Sequence, residues 1–266
     1  MSLRVLPVAL ALLAGCAAPS GDSGLDAALS DAAWLELNLA DGSLHPVPAP
    51  DVRSLAEVRL RSSRILFRRI PSGTTSGHPE VLPGGGEPED SQPLVSPATA
   101  YLAVFELTRG QWARMQGLAA PAEPSLPATG LAPAEVSEIA ATVRLPRFRL
   151  TLPDAALWAR GCAAGNPGLF TWGDSNDAAV ITTYAVLHTP GTYPGGPATV
   201  GGRLPNAFGL HDTHGNVWEA VRTGSGYAAR GGAWDAAPVQ ARTANQVPVD
   251  GEVQHPSLGV RLALLP

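Results

Sequence analysis

The segment from Gly215 to Glu219 combines residue types that can bind a hard cation. Its sequence is Gly-Asn-Val-Trp-Glu, so a flexible glycine precedes an asparagine, and a glutamate follows three residues later. The backbone carbonyls of Gly215 and Val217, the amide oxygen of Asn216 and the carboxylate of Glu219 are oxygen ligands of the kind that calcium prefers. The segment therefore predicts a calcium site. The alternative is a tight turn with Trp218 in the core and Glu219 hydrogen-bonded to the backbone.

Two histidines precede this segment at a spacing of three. His211 and His214 flank Asp212, and these side chains could bind a transition metal if the loop folded suitably. The sequence contains no Gly-x-Ser-x-Gly, P-loop or dinucleotide motif. A serine-type or nucleotide-using enzyme would have to be assembled from residues that give no local sign.

A polar stretch near the C-terminus supplies the candidates for binding a ligand. They are Arg242, Asn245, Asp250 and His255. Loops of this composition usually lie at the surface, so we expect these side chains to face solvent, with a shallow pocket as the alternative. Just before this stretch, Gly231 and Gly232 predict backbone with positive φ or close packing, and Trp234 is expected in the core.

Several of these segments together resemble one known family. The run from Gly209 to Glu219, then Arg230-Gly231-Gly232-Ala233-Trp234, then Gly259-Val260-Arg261, is similar to the C-terminal core of the formylglycine-generating enzyme (sulfatase-modifying factor) family. Earlier elements that fit the same family start at Ile70, Tyr101, Arg149, Phe170 and Pro205. The resemblance covers residues 64–266. It implies an α+β, C-type-lectin-like fold with a small twisted antiparallel sheet, flanking helices and much irregular loop, and it points to the same calcium site.

One departure from the family bears on function. In active members, the resemblance implies two copper-binding cysteines after the element that matches residues 230–234. Residues 235–244 contain no cysteine here. Copper(I) selects soft thiolate ligands, so we expect no high-affinity copper and no formylglycine-generating oxidase activity.

Three functions stay open at this stage. The first is a binding or scaffolding module without the oxidase chemistry, acting on an unknown protein or small-molecule ligand. The second is an enzyme of the same superfamily that uses non-cysteine residues, as relatives in siderophore maturation and thiol-histidine synthesis imply. The third is a lectin-fold variable protein that displays a ligand-binding surface, in which sequence variation between copies would concentrate in residues 235–257.

The elements that must position these residues can be predicted in outline. Alternation of apolar and polar residues predicts a strand over 34–39, followed by a turn at 40–43. Further strand signals cover 58–60 and 65–70. Helices are predicted over 109–115 and 133–143, and a third begins after Asp154 as its N-cap and ends near Gly165.

The N-terminus has the pattern of a bacterial lipoprotein signal. A short positive segment precedes an apolar run over residues 5–13, and Leu13-Ala14-Gly15-Cys16 matches a lipobox. The run is too short to cross a bilayer. We expect acylation at Cys16 and anchoring in the membrane of the cell envelope. Because Ala17 is not the aspartate typical of inner-membrane retention, the outer membrane is favoured. An ordinary secretory signal cleaved after Ala17 and Ala18 is the alternative.

Domain boundaries follow from these patterns and from composition. We predict a signal peptide and lipobox over 1–16, a tether over 17–32, a short N-terminal β extension over 33–63 and the main domain over 64–266. The net charge is −5, and no basic run stands out, so nucleic acid is not an expected partner. Cys162 is the second of two cysteines. With Cys16 acylated, no intramolecular disulfide can form, and Cys162 is expected to be a buried, inert thiol.

Overall fold

The computed structural model describes residues 28–75 and 93–266. The strands are β1 (Trp34–Asn38), β2 (Leu44–Pro46), β3 (Arg64–Ile70), β4 (Gly73–Thr75), β5 (Leu94–Ser96), β6 (Ala100–Ala103), β7 (Arg149–Thr151), β8 (Trp218–Thr223), β9 (Gly226–Arg230), β10 (Val247–Val249), β11 (Leu258–Val260) and β12 (Ala263–Leu265). The helices are α1 (Val52–Leu55), α2 (Arg109–Met115), α3 (Pro133–Thr142), α4 (Ala155–Ala163) and α5 (Ala178–Tyr184), with 3-10 turns at Val58–Arg61 and Pro238–Ala241.

Two main sheets organise the domain. The larger sheet has the strand order β2-β1-β3-β6-β12-β7 and is antiparallel throughout. The smaller sheet has the order β10-β9-β8-β11, and β8 pairs with β11 in parallel. The chain leaves the smaller sheet at Val260 and enters the larger one at Ala263. Arg261 and Leu262 therefore form the link between the two sheets.

Alternating burial places the core against one face of the larger sheet. In β1, Leu35 and Leu37 are fully buried while their neighbours are partly exposed, as period-two alternation requires. They join Phe67, Tyr101 and Leu264 in a cluster that also includes apolar residues of α3 and β11. The predicted extension over 33–63 thus completes the sheet, because β1 pairs with β3.

The helices begin and end where local chemistry predicts. Thr108 and Gln111 form a capping box at the start of α2. The Asp154 carboxylate accepts a hydrogen bond from the Leu157 N–H at the start of α4. This helix ends at Ala164, which adopts the left-handed conformation with φ of 49°.

Two sequence predictions are wrong, and two helices were missed. Residues 58–60 were predicted as a strand but lie in a 3-10 turn, because tertiary packing overrides a short β-branched signal. Residues 28–32 were assigned to the tether, yet Leu29 is fully buried and its carbonyl accepts a hydrogen bond from the Tyr101 hydroxyl. Helices α1 and α5 were not predicted, although the Asp177 carboxylate caps the first turn of α5.

The predicted lipobox, Cys16 and the tether up to residue 27 lie outside the described residues. Among the residues that are described, no helix combines the length and apolar character needed to cross a membrane.

Candidate functional site

A buried ion pair lies at the link between the two sheets. The Arg261 guanidinium donates to both Glu219 oxygens, with Nη2–Oε1 at 2.6 Å and Nε–Oε2 at 2.9 Å. Neither side chain is more than 1% exposed. Burial lowers the pKa of Arg261, but attraction to Glu219 and other acids outweighs it and leaves that pKa raised. The Arg261 guanidinium therefore stays charged in the interior.

Arg261 also donates hydrogen bonds to backbone carbonyls around this pair. Nη1 donates to the carbonyls of Ala103 and Val104 at 2.9 and 2.8 Å, and Nη2 donates to the His211 carbonyl at 2.7 Å. On the other side of the pair, the Trp158 indole donates to Glu219 Oε2 at 2.6 Å. One guanidinium thus connects β6, β8, the 211 loop and, through Trp158, helix α4.

The segment predicted to bind calcium is placed beside this pair. Gly215 has φ of 74°, and a Cβ there would lie 2.2 Å from the Val186 carbonyl oxygen, so glycine is required. Asn216 is also left-handed, with φ of 58°. Its side chain accepts from the Ala198 N–H at 2.8 Å and donates to Glu106 at 2.5 Å. The segment is a tight, buried turn.

The side chains predicted to bind calcium already make hydrogen bonds within the protein. The Glu219 carboxylate faces Arg261 and Trp158, so its oxygens already accept charge-assisted hydrogen bonds. Trp218, expected in the core, is only half-buried. The Asn216 amide oxygen likewise accepts the Ala198 N–H, and calcium binding at Gly215, Asn216, Val217 and Glu219 stays a prediction.

A second buried carboxyl supports the same turn. Glu106 is fully buried, and its Oε1 accepts the Val217 N–H at 3.1 Å. Burial raises the pKa of Glu106 well above its usual range, and the nearby carboxylates of Asp212 and Glu219 raise it further. Two elements distant in sequence, the end of β6 and the start of β8, are joined by this contact.

The two histidines do not combine with Asp212 into a metal site. His211 Nδ1 lies 2.8 Å from the Arg203 carbonyl, whereas His214 Nδ1 lies 2.7 Å from the Ala241 carbonyl. His214 Nε2 accepts the Thr171 N–H, so its proton is on Nδ1. Over residues 28–75 and 93–266, no group of three or more His, Cys, Asp or Glu side chains is arranged to hold a metal ion.

Cys162 lies in the same interior. Its sulfur is 3.4 Å from His214 Nε2 and 3.6 Å from the Thr213 carbonyl, and the residue is fully buried. Burial raises the pKa of the Cys162 thiol to about 12. Because the thiolate is the nucleophile and the metal-binding form, this sulfur is chemically inert at neutral pH.

Comparison with known families decides the identity of this domain. A model described as a sulfatase-modifying factor enzyme 1-like domain matches residues 84–265, more than half of the chain. The chain belongs to the sulfatase-modifying factor family. No curated protein sequence matches it.

Solved structures show the same sulfatase-modifying-factor fold. PvdO from Pseudomonas aeruginosa is 20% identical, with a TM-score of 0.63 over 76% of this chain and 94% of PvdO. Treponema denticola variable protein 1 is 16% identical, with a TM-score of 0.64 over 77% of this chain and 96% of that one. CarF is 16% identical, with a TM-score of 0.55 over 74% of this chain and 97% of CarF. The predicted family and its α+β fold class are confirmed, with two main sheets instead of one.

The stretch that carries no cysteine is tightly held in this sulfatase-modifying-factor domain. Arg230 is 1% exposed and donates to the Thr243 carbonyl at 2.9 Å and to Gln246 Oε1 at 2.8 Å. Its guanidinium also lies over the Trp158 ring, 5.9 Å from the centroid. Gly232 permits the close approach of Ala241, as the glycine pair predicted. Ala236 and the residues from Ala241 to Thr243 are therefore packed into the domain, whereas Val239 is 49% exposed.

The four predicted ligand-binding residues do not converge on one site. Arg242 was expected to face solvent and is 2% exposed, which is wrong for a surface position. Asn245 is partly buried and donates to the Gln240 carbonyl at 2.6 Å. Asp250 and His255 are exposed, but each accepts a hydrogen bond from a backbone N–H two residues away. Both side chains therefore make a hydrogen bond within their own turns.

Sequence reasoning missed an exposed aromatic group beside the family's Arg-Gly-Gly element. The Tyr193 ring lies 5.3 Å from the His188 ring and 5.6 Å from the Trp234 ring, both near perpendicular. Tyr193 is 62% exposed, and exposed Asp235 follows Trp234. We call His188, Tyr193 and Trp234 the aromatic patch. The surrounding run of Gly, Pro and Thr has no periodicity, so no sequence signal could have revealed it.

A separate open cleft of about 500 Å³ lies between α4 and the turn after β8. Its charged lining residues are Asp154 and Arg222. Asp154 caps α4, and Arg222 Nε donates to the Leu152 carbonyl. Because both side chains already bond the protein, the aromatic patch is the better candidate for a ligand surface.

The central ion pair makes a testable contribution to stability. Glu219→Gln leaves the Arg261 charge buried without its carboxylate and should lower the free energy of unfolding by about 3–5 kcal/mol. The exposed pair Arg109–Glu123 is the control, because Glu123→Gln should cost less than about 1 kcal/mol. Urea denaturation measures both. Adding Arg261→Met to Glu219→Gln should cost less than the sum of the single changes, and simple additivity would contradict the pairing.

The buried His214 predicts loss of stability in acid. Burial lowers its pKa to about 4, whereas an unfolded histidine titrates near about 6.5. The unfolded chain therefore binds the proton first, and stability falls as the pH drops from about 6.5 through about 4, by up to about 3 kcal/mol. His214→Asn, which keeps a donor for Ala241, should lower stability at pH 7 but flatten this slope. The free energy of unfolding is measured by urea denaturation across this pH range. If it depends on pH equally in both proteins, His214 is not the cause of the loss of stability in acid.

Proposed function

We propose that this chain is a lipid-anchored protein of the bacterial cell envelope whose sulfatase-modifying-factor domain is a binding or scaffolding module without thiol-based oxidation. The observation that carries the proposal is the environment of Cys162. This sulfur is fully buried, with its pKa raised to about 12. With Cys16 acylated, the mature chain has no second cysteine to pair with it.

The aromatic patch supports a binding role. Binding surfaces are enriched in Tyr and Trp, which bury a large area at low entropic cost. Tyr193 projects between His188 and Trp234, and Asp235 adds a charge at the margin. The Trp234 indole N–H is buried and has no hydrogen-bond partner within the described part of the chain. Leu118, which is 61% exposed, is the matched control position for Tyr193 in a binding assay.

An enzyme that uses non-cysteine residues is less well supported. The polar residues that were its candidates face separate turns or, like Arg242, the interior. The variable-protein alternative meets a similar constraint. Ala241, Arg242 and Thr243 are buried in the stretch over 235–257, so variation there could involve only its exposed positions.

The absence of oxidase activity is directly testable. The purified domain should leave the cysteine of a Cys-x-Pro-x-Arg peptide unchanged when incubated with copper(I), because Cys162 is inaccessible and unpaired. Mass spectrometry of the peptide is the measurement, and a formylglycine-generating member of the family is the positive control. Conversion of the cysteine to an aldehyde would restore the oxidase and overturn the proposal.

The lipid anchor has its own test. In the native organism, the protein should fractionate with the outer membrane, and mass spectrometry should show acyl chains on Cys16. Cys16→Ser removes the acylation site and should release the protein, because two or more acyl chains are what make such an anchor stable. A Cys16→Ser protein that still sediments with membranes after a high-salt wash, or a wild-type protein without acyl chains, would contradict the anchor.

A further inference from the structure

Three arginines project from one short hairpin at the edge of the larger sheet. Residues 144–149 fold back so that Arg144 bridges Arg149 across an antiparallel pair. Arg147 lies in the turn between them, with φ of 63°. All three side chains are exposed. We call residues 144–149 the basic hairpin. Sequence reasoning missed it because Leu145, Pro146 and Phe148 separate the charges.

Arg144 and Arg149 carry like charges on the two paired segments of this hairpin. Like charges directly across an antiparallel pair repel and weaken it. Within the described residues, neither Arg144 nor Arg149 forms an ion pair with a carboxylate. The neighbouring turn carries Asp41, but its carboxylate accepts hydrogen bonds from the Ser43 N–H and the Asn38 amide. An anion from outside the protein would relieve this repulsion.

The hairpin lies close to the N-terminal end of the folded domain. The Phe148 ring, inside the hairpin, packs edge-on against Tyr101 with 5.6 Å between centroids. The Tyr101 hydroxyl in turn donates to the Leu29 carbonyl at 2.9 Å. The stretch between Cys16 and residue 28 can reach at most roughly 40 Å when fully extended. A lipid on Cys16 would therefore keep Leu29, and the basic hairpin close to it, within reach of the bilayer surface.

We propose that the basic hairpin is a membrane-facing surface that binds the phosphate groups of anionic phospholipids beside the protein's own lipid anchor. A guanidinium donates two parallel hydrogen bonds to a phosphate, which suits arginine better than lysine. The anchor keeps the hairpin at high local concentration, so a weak contact is enough to orient the domain. The location rests on the proposed anchor, but the lipid contact can be measured without it.

The test uses the mature chain with Cys16→Ser, which carries no acyl group. It is mixed with phosphatidylcholine vesicles, with or without phosphatidylglycerol, and bound protein is separated by flotation. We expect binding only to the vesicles with phosphatidylglycerol, and its loss at high salt. Each arginine near an anionic surface strengthens binding by about fivefold, so Arg144→Gln, Arg147→Gln and Arg149→Gln together should weaken it on the order of a hundredfold.

Two matched variants make the result specific. Lysine at the same three positions keeps the charge but loses the paired hydrogen bonds, so binding should be weaker than with arginine and stronger than with glutamine. Glutamine at Arg109, Arg114 and Arg203 removes the same charge elsewhere on the surface and should change binding by less than about fivefold. Thermal melting of each variant shows whether it is folded. Equal losses from the two glutamine triples, or no binding of the Cys16→Ser chain to phosphatidylglycerol, would overturn the proposal.

Failure of the anchor and failure of the hairpin give different results. A wild-type protein without acyl chains, together with vesicle binding lost only in the hairpin variants, would reject the anchor and keep the lipid contact. Acylated wild-type protein whose Cys16→Ser form ignores anionic vesicles would keep the anchor and reject the hairpin surface.

Discussion

The ion pair between Arg261 and Glu219 is the interaction on which the arrangement of the two sheets depends. Arg261 lies where the chain crosses from β11 to β12, and Glu219 lies on β8. Removing both charges from water is costly, and their attraction repays that cost only with good geometry and further hydrogen bonds. Here the guanidinium also binds three backbone carbonyls and the carboxylate accepts the Trp158 indole, so the pair fixes one relative placement of the sheets.

The same arrangement commits most reactive groups of the interior to structural contacts. Glu106 supports the turn at Asn216, His214 joins two loops, and Cys162 lies against it. Groups held in this way are positioned by packing and hydrogen bonding, and each has little freedom to bind a ligand. The binding proposals above therefore concern the surface. The aromatic patch and the basic hairpin are the surface features on which those proposals rest.

Local signals in the sequence were reliable where they depended on neighbours in the chain. Helix α2 matched its predicted bounds because Thr108 and Gln111 cap it directly. The strand at β1 followed from alternation, and the glycines at 231 and 232 from the positive φ that they adopt. The strand prediction for residues 58–60 failed because a pattern of three residues is too short to distinguish a strand from a 3-10 turn.

The sequence by itself determined the family, the fold class and the absence of cysteine from residues 235–244, because ordered motifs and a missing residue type can be read directly. Only the tertiary structure decided what each polar side chain contacts. Glu219 looked like a cation ligand until Arg261, forty-two positions away, was found beside it. Arg242 was predicted to face solvent but is 2% exposed. The arginines of the basic hairpin are separated in the sequence, but the antiparallel bridge brings Arg144 and Arg149 together. The burial and charge environment of each side chain depend on residues distant in sequence, which local motif spacing does not reveal.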